Sequence, residues 1–241
     1  MTTAIIIPAR FESTRFPGKP LAEISGKPMI EHVINAAKGA KLAKRVIVGT
    51  EDKRIFDFVK DKLKTEACLT SKDHKSGTDR ICEVVKKLPE IKYVVNLQGD
   101  EPLMPSSYID KLINLLLTSK SKMASLVAQI KSDEELNNPN IVKAVMDKNG
   151  FALNFSRSGQ PLQGHDPIFR HIGIYAYTRE TLFQFNLLPP SPLEQSEQLE
   201  QLRAIENGIK IKLEIVERAF PAVDTKEDVK VVEGIFEKLR I

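Results

Sequence analysis

Ile5-Ile6-Ile7-Pro8-Ala9-Arg10, followed by Ser13-Thr14-Arg15-Phe16-Pro17-Gly18-Lys19-Pro20, is the stretch from which the fold can be read. A short, wholly apolar run predicts a strand buried on both faces, as in a parallel sheet. It empties into a loop with three cations (Arg10, Arg15, Lys19), two hydroxyls, a glycine and several prolines. A rigid cationic loop at the carboxyl end of the first strand of an α/β sheet is where such folds bind phosphates. It is neither a Walker loop nor the glycine fingerprint of dinucleotide sites. Its donors suit phosphate oxygens through arginine forks and a lysine point charge.

Strand-like and helix-like segments alternate beyond it. Pro28 to Lys38 predicts a helix with Met29, Val33, Ile34 and Ala37 on one face. Arg45–Thr50 predicts a strand, and Asp52 a cap for a helix carrying Ile55, Phe56, Val59 and Leu63. Ala67–Thr70 and Tyr93–Leu97 read as strands around a Thr78–Leu88 helix. Ser106 or Ser107 reads as the cap of a helix with Ile109, Leu112, Ile113, Leu116 and Leu117 inward. Repeated units of this length predict an α/β fold with a doubly wound, mostly parallel, Rossmann-like sheet.

The second half reads differently. Ile141–Met146, Ala152–Phe155 and Ile172–Tyr177 are strand-like without helices between them, which predicts a smaller antiparallel β subregion near residues 140–178. Helices return at Thr178–Phe185 and Glu194–Asn207, with Gly208 as C-cap. Lys210–Ile215 reads as a strand and Thr225–Leu239 as the closing helix. One domain over 1–241 is the expectation.

Composition narrows the class. Of 241 residues, 41% are apolar and 28% charged, enough for a core without disulfide staples. The net charge of +4 is spread along the chain, with no basic block interleaved with aromatics, so nucleic-acid binding is not expected. No apolar run reaches the length of a membrane span, and the N-terminus enters a strand without a signal-peptide pattern. Cys68 and Cys82 show neither metal spacing nor a redox pair, which predicts free thiols in a reducing compartment.

Two further segments carry chemistry. Val94-Val95-Asn96-Leu97 runs into Gln98-Gly99-Asp100-Glu101-Pro102, where a carboxylate at a strand end can hold a hard divalent cation beside a polyphosphate. Val223-Asp224-Thr225 repeats that situation, although Asp224 reads equally well as the cap of the last helix. Arg157, His171, Tyr175, Glu200 and Gln201 are polar positions of the second half that, singly, fit structural roles as well as a site.

Taken in order, the segments resemble sugar-acid cytidylyltransferases along nearly the whole chain. Ile7-Pro8-Ala9-Arg10 with Ser13–Leu21 is similar to their nucleotide loop. Ser76-Gly77-Thr78-Asp79-Arg80, Asn96–Pro102, Phe155-Ser156-Arg157, His171–Tyr175, Leu199–Arg203 and Val223-Asp224-Thr225 resemble the branch acting on 3-deoxy-D-manno-octulosonate (KDO). The resemblance implies a fold of the nucleotide-diphospho-sugar transferase type. It also implies Mg²⁺-dependent transfer of CMP from CTP to KDO, in a cytoplasmic homodimer serving lipopolysaccharide synthesis. On that pattern Arg10, Arg15 and Lys19 hold the triphosphate, while Pro8, Ala9, Ser76, Gly77 and Arg80 surround the cytosine. Asp100 and Asp224 hold the metal and act with Lys19 in catalysis. The sugar acid meets Gln98, Arg157, His171, Tyr175, Glu200 and Gln201. The chain departs from the family after Arg157, where Ser158-Gly159-Gln160-Pro161-Leu162-Gln163-Gly164 replaces the usual Pro-Ile-Pro type of loop. A glycosyltransferase would need an Asp-x-Asp motif, and Gln98-Gly99-Asp100 offers one acid.

Overall fold

The computed structural model describes residues 2–12, 15–158, 162 and 164–239. Ser13 and Thr14 of the opening loop, and Gly159, Gln160, Pro161 and Gln163 of the divergent segment, lie outside the described residues. The chain divides into two compact units, Met1–Lys111 with Phe220–Ile241, and Leu112–Ala219.

The first unit begins with β1 (Thr2–Pro8), whose residues from Thr3 to Pro8 are all buried. A small hairpin of β2 (Glu23–Ile24) and β3 (Lys27–Pro28) leads into α1 (Met29–Gly39). β4 (Arg45–Thr50) follows, then α2 (Lys53–Asp57), which Asp52 caps by accepting from the Arg54 amide, as its sequence predicts. After β5 (Glu66–Leu69) come α3 (Gly77–Lys86), β6 (Ile91–Asn96) and α4 (Ser106–Thr118). Four strands pair in parallel in the order β6-β1-β4-β5, with Ile6 opposite Ile47 on one side and Asn96 on the other. The winding reverses at β1, and the crevice at the carboxyl ends of strands at such a switch is where ligands bind. Ile5, Ile6 and Ile7 are fully buried, each worth about 1.5–3 kcal/mol relative to exposure.

Ser106 does not cap α4. It is the first helical residue, and its hydroxyl donates to the Ala36 carbonyl at 2.8 Å while the Tyr108 amide turns back to Pro105.

In the second unit the first strand is β7 (Met123–Gln129), an apolar run that the sequence periodicity had not marked as a strand. α5 (Asp133–Asn137) leads to β8 (Lys143–Met146) and β9 (Ala152–Ser156), and then to β10 (Phe169–Thr178). β10 pairs antiparallel with β7 and β8, and β8 antiparallel with β9, which is the antiparallel subregion expected. α6 (Arg179–Leu187) is capped by Thr178. The single helix expected at Glu194–Asn207 is two: α7 (Pro192–Glu197) and α8 (Gln201–Glu206), broken at Gln198, whose φ is +55°. The Glu197 carboxylate is claimed from β9 by the Ser156 hydroxyl (3.1 Å) and the Arg157 amide (2.8 Å), and this tertiary pull outweighs local helix propensity. β11 (Ile211–Val216) runs parallel to β7. The chain returns to the first unit with α9 (Lys226–Leu239). Both cysteines are free thiols.

Candidate active site

The loop after β1 is held from below. The Ala9 amide donates to the Gly49 carbonyl and the Phe11 amide to Glu51 Oε1, both at 2.9 Å. The Gly18 amide closes the loop on the Phe11 carbonyl at 2.8 Å, and the Arg54 guanidinium lies 3.4 Å above the Phe11 ring centroid. Gly18 sits at φ +72°, where a side chain would be strained and its Cβ would press on the Phe11 ring at 3.1 Å. That turn delivers Lys19.

The Lys19 ammonium donates to Asp100 Oδ2 and to the Val223 carbonyl, each at 2.8 Å, and lies 3.7 Å from Asp224 Oδ1. Arg15 Nη2 donates to the same Asp224 oxygen at 2.9 Å. Asp100 therefore meets Asp224 around one cation, although 124 positions separate them in the sequence numbering. The backbone reinforces this, because the Val223 amide donates to the Asp100 carbonyl at 2.9 Å. Gly99 is required by contact: a Cβ there would come within 2.9 Å of the Pro8 carbonyl oxygen.

Asp224 is not the cap of α9. Asp228 accepts from the amides of Asp224 (2.9 Å) and Thr225 (2.7 Å) and from the Thr225 hydroxyl. Burial pushes the Asp228 carboxyl up, but these donors outweigh it and hold it below the usual aspartate value. The Asp224 carboxylate is left for the site.

On the facing side, Ser76 and Asp79 form a capping box at the start of α3, with the Asp79 amide donating to Ser76 Oγ at 3.1 Å and the Ser76 amide to Asp79 Oδ2 at 3.0 Å. Arg80 is buried against Glu51 at 2.8 Å and donates to the Thr70 hydroxyl and the Ser71 carbonyl. Burial lowers its pKa, against the pull of Glu51. Gln98 Nε2 donates to Asn96 Oδ1 at 2.8 Å.

Of these side chains, Arg15, Lys19, Ser76, Arg80, Gln98, Asp100 and Asp224 line one cavity of about 290 Å³ in the first unit. Pro8, Ala9, Arg10, Arg15, Lys19, Ser76, Gly77 and Arg80, the expected nucleotide set, are on its wall together with Asp100 and Asp224. Gln98, expected beside the sugar acid, shares this wall. Sequence reasoning missed His74, Lys75, Pro20 and Met29, which also line it. His74 and Lys75 directly precede the Ser76 motif, so their closeness to it was a readable signal. Five cations (Arg10, Arg15, Lys19, Lys75 and Arg80) and a helix N-terminus on one wall favour a polyanion.

Among the described residues no group of three or more His, Cys, Asp or Glu side chains could hold a metal. Magnesium does not require one, since it is commonly held by one or two carboxylates plus phosphate oxygens and waters. Asp100 and Asp224 already share the Lys19 ammonium, so they fit such an ion.

The remaining expected residues are in the second unit. His171 on β10 is buried, its Nε2 2.9 Å from Ser125 Oγ, its ring between Phe155 (centroids 5.0 Å, edge-on) and Tyr175 (5.4 Å). Burial lowers its pKa to about 3, so it is neutral at pH 7. Burial, with Glu200 nearby, pushes the Tyr175 hydroxyl well above its ordinary value. Gln201 is buried and Glu200 half-buried, both at the start of α8. Arg157 Nε donates to the Glu197 carbonyl at 3.1 Å. The carbonyl of Arg157 accepts from Lys143, a fully buried lysine, at 2.7 Å.

A sequence profile of the cytidylyltransferase family matches residues 4–211. The chain is 46% identical over 249 residues to the 3-deoxy-manno-octulosonate cytidylyltransferase of Thermodesulfovibrio yellowstonii, with 97% of each chain covered. It is 45% identical over 242 residues to the 8-amino-3,8-dideoxy-manno-octulosonate cytidylyltransferase of Shewanella pealeana, covering 97% of this chain and 98% of that one. A solved structure of CMP:2-keto-3-deoxy-manno-octonic acid synthetase complexed with CTP matches with a TM-score of 0.91 at 37% identity, covering 99% of both chains.

Proposed function

The chain belongs to the cytidylyltransferase family, and on that premise we propose that it transfers CMP from CTP to KDO and releases pyrophosphate. The observation that carries the reading is the convergence of Arg15, Lys19, Asp100 and Asp224 on the cavity wall at the end of β1. Arg10, Arg15 and Lys19 bind the triphosphate. As they turn to its oxygens, Asp100 and Asp224 are released to hold Mg²⁺. When bound, that ion supplies charge neutralisation on the phosphates and a lowered pKa for the attacking hydroxyl. Arg157, His171, Tyr175, Glu200 and Gln201 bind the sugar acid, with Arg157 suited to its carboxylate.

The anomeric hydroxyl attacks the α-phosphorus in line. A new P–O bond forms and the bond to pyrophosphate breaks, the leaving oxygen keeping the electron pair. Such transfers depend on positioning and charge neutralisation rather than on a protein nucleophile. His171, with its pKa near 3, is a poor match for a general base at neutral pH. No helix among the described residues is long and apolar enough to cross a membrane. We place the enzyme in the cytoplasm, as a homodimer, in lipopolysaccharide synthesis.

A pyrophosphate-release assay with CTP and a panel of KDO, 8-amino-KDO and a sialic acid, with and without Mg²⁺, tests this. Turnover of KDO that requires the metal is expected. The 45% identity to an 8-amino-3,8-dideoxy-manno-octulosonate enzyme makes the amino sugar the second reading. Turnover with the sialic acid alone would sink both.

A further inference from the structure

β10 does not run straight past β7. Ile172 pairs with Leu126 and Tyr175 with Ser125, so Gly173 and Ile174 form a bulge left out of the ladder. The hydroxyl of Ser125, fully buried, fills the bulge: it lies 2.8 Å from the Ile174 carbonyl, 3.2 Å from that of Ile172, and 2.9 Å from His171 Nε2. A hydroxyl has one proton. Both carbonyl oxygens can only accept, so sending the proton to the imidazole would leave three oxygens facing one another in a buried site. The proton therefore goes to the Ile174 carbonyl, the shorter contact. The Ser125 oxygen must then accept from His171, which places a proton on Nε2. The neutral ring holds only that one, so Nδ1 carries a bare lone pair. Among the described residues none hydrogen-bonds to Nδ1, while Phe155 and Tyr175 pack against the ring and the His171 amide is tied to the Val142 carbonyl at 2.8 Å.

We propose that Ser125 is a positioning residue that locks His171 as the Nε2–H tautomer, so that Nδ1 presents an acceptor to a hydroxyl of the sugar acid. This rests on the sugar-acid reading of His171 given above. A bare lone pair repels a carboxylate and welcomes an O–H donor, so His171 selects for a hydroxyl and leaves the acid group to a cation. The ring's depressed pKa agrees, since protonation at Nδ1 would turn the acceptor into a donor.

The test uses the full chain labelled with nitrogen-15 histidine. The signals of His171, one of four histidines, are identified by their loss in His171→Gln. The wild-type spectrum is expected to show a protonated Nε2 and a bare Nδ1. In Ser125→Ala the two tautomers should mix, and KM for KDO should rise roughly threefold to tenfold, the range of one lost hydrogen bond, with KM for CTP unchanged. A protonated Nδ1 in the wild type overturns the proposal without any variant, so it stays falsifiable even if Ser125→Ala does not fold. An unchanged KM for KDO in a folded Ser125→Ala overturns the positioning role. If His171→Gln also leaves that KM unchanged, the placement of His171 in the sugar site fails, whatever the spectrum says about the tautomer.

Discussion

At Asp224 a carboxylate suited to closing the last helix is left for the cavity, because Asp228 takes the amides of Asp224 and Thr225. Its partner Asp100 is placed by a backbone contact that admits only glycine at position 99. Asp100→Asn keeps the shape and removes the charge. Turnover should vanish while CTP still binds measurably by calorimetry, and a near-normal rate would refute the metal role. For Arg157→Ala the expected result is a rise in KM for KDO far exceeding that for CTP, since losing one charged partner typically costs about 2–5 kcal/mol. Equal effects on both substrates would move Arg157 out of the sugar site.

At the scale of elements, the polar cluster stands on an apolar one. Phe16, Leu103 and Val223 are buried together with Met29, Val232 and Phe236, and they neighbour Arg15, Asp100 and Asp224 in sequence. α9 is thus a clamp on three segments of the site. Phe236→Ala, which removes a ring whose centroid lies 4.6 Å from that of His32 at a tilt of 35°, should cost about 3–5 kcal/mol of stability. It should also weaken CTP binding although Phe236 does not line the cavity; unchanged CTP affinity in a destabilised but folded variant would show that the clamp is dispensable. β1, β4 and the phosphate loop were legible because an apolar run followed by cations has few other readings. Asp224 was ambiguous because an acid between strand and helix has two uses, and only the position of Asp228 in space decides between them. The break at Gln198 was hidden because it depends on Ser156 and Arg157, about forty residues away. The run from Met123 to Ala128 was apolar enough to be assigned and was missed between a lysine-rich turn and a polar stretch. Gln98 was named as a site residue, but its place on one wall with Lys19 and Asp100 was not read, since spacing along the chain does not reveal which crevice a strand end faces.

Across the whole molecule, His171 and Glu83 are two described groups with large shifts that contribute to the response to acid. His171 falls from 6.5 to about 3 through burial. Burial pushes Glu83 up, but Lys87, the Ser71 amide and His74 outweigh it and bring it from 4.5 to about 2. Between each pair of values the unfolded chain holds a proton that the folded chain does not, so these groups make stability fall as pH falls. Urea midpoints measured from pH 8 to pH 3 should decline first below about 6.5, the unfolded histidine value, and more steeply below about 4.5, where Glu83 joins. His171→Gln should flatten the first decline and spare the second; a first decline that persists would assign it to another group. The contacts that join Lys19 to Val223 and Arg15 to Asp224 span 204 and 209 residues. A ribosome must therefore deliver nearly the whole chain before both carboxylates can face the cations of the opening loop. Until then the opening loop has Asp100 but not Asp224, so a chain that stops short of Asp224 carries the cationic loop with half of its carboxylate pair.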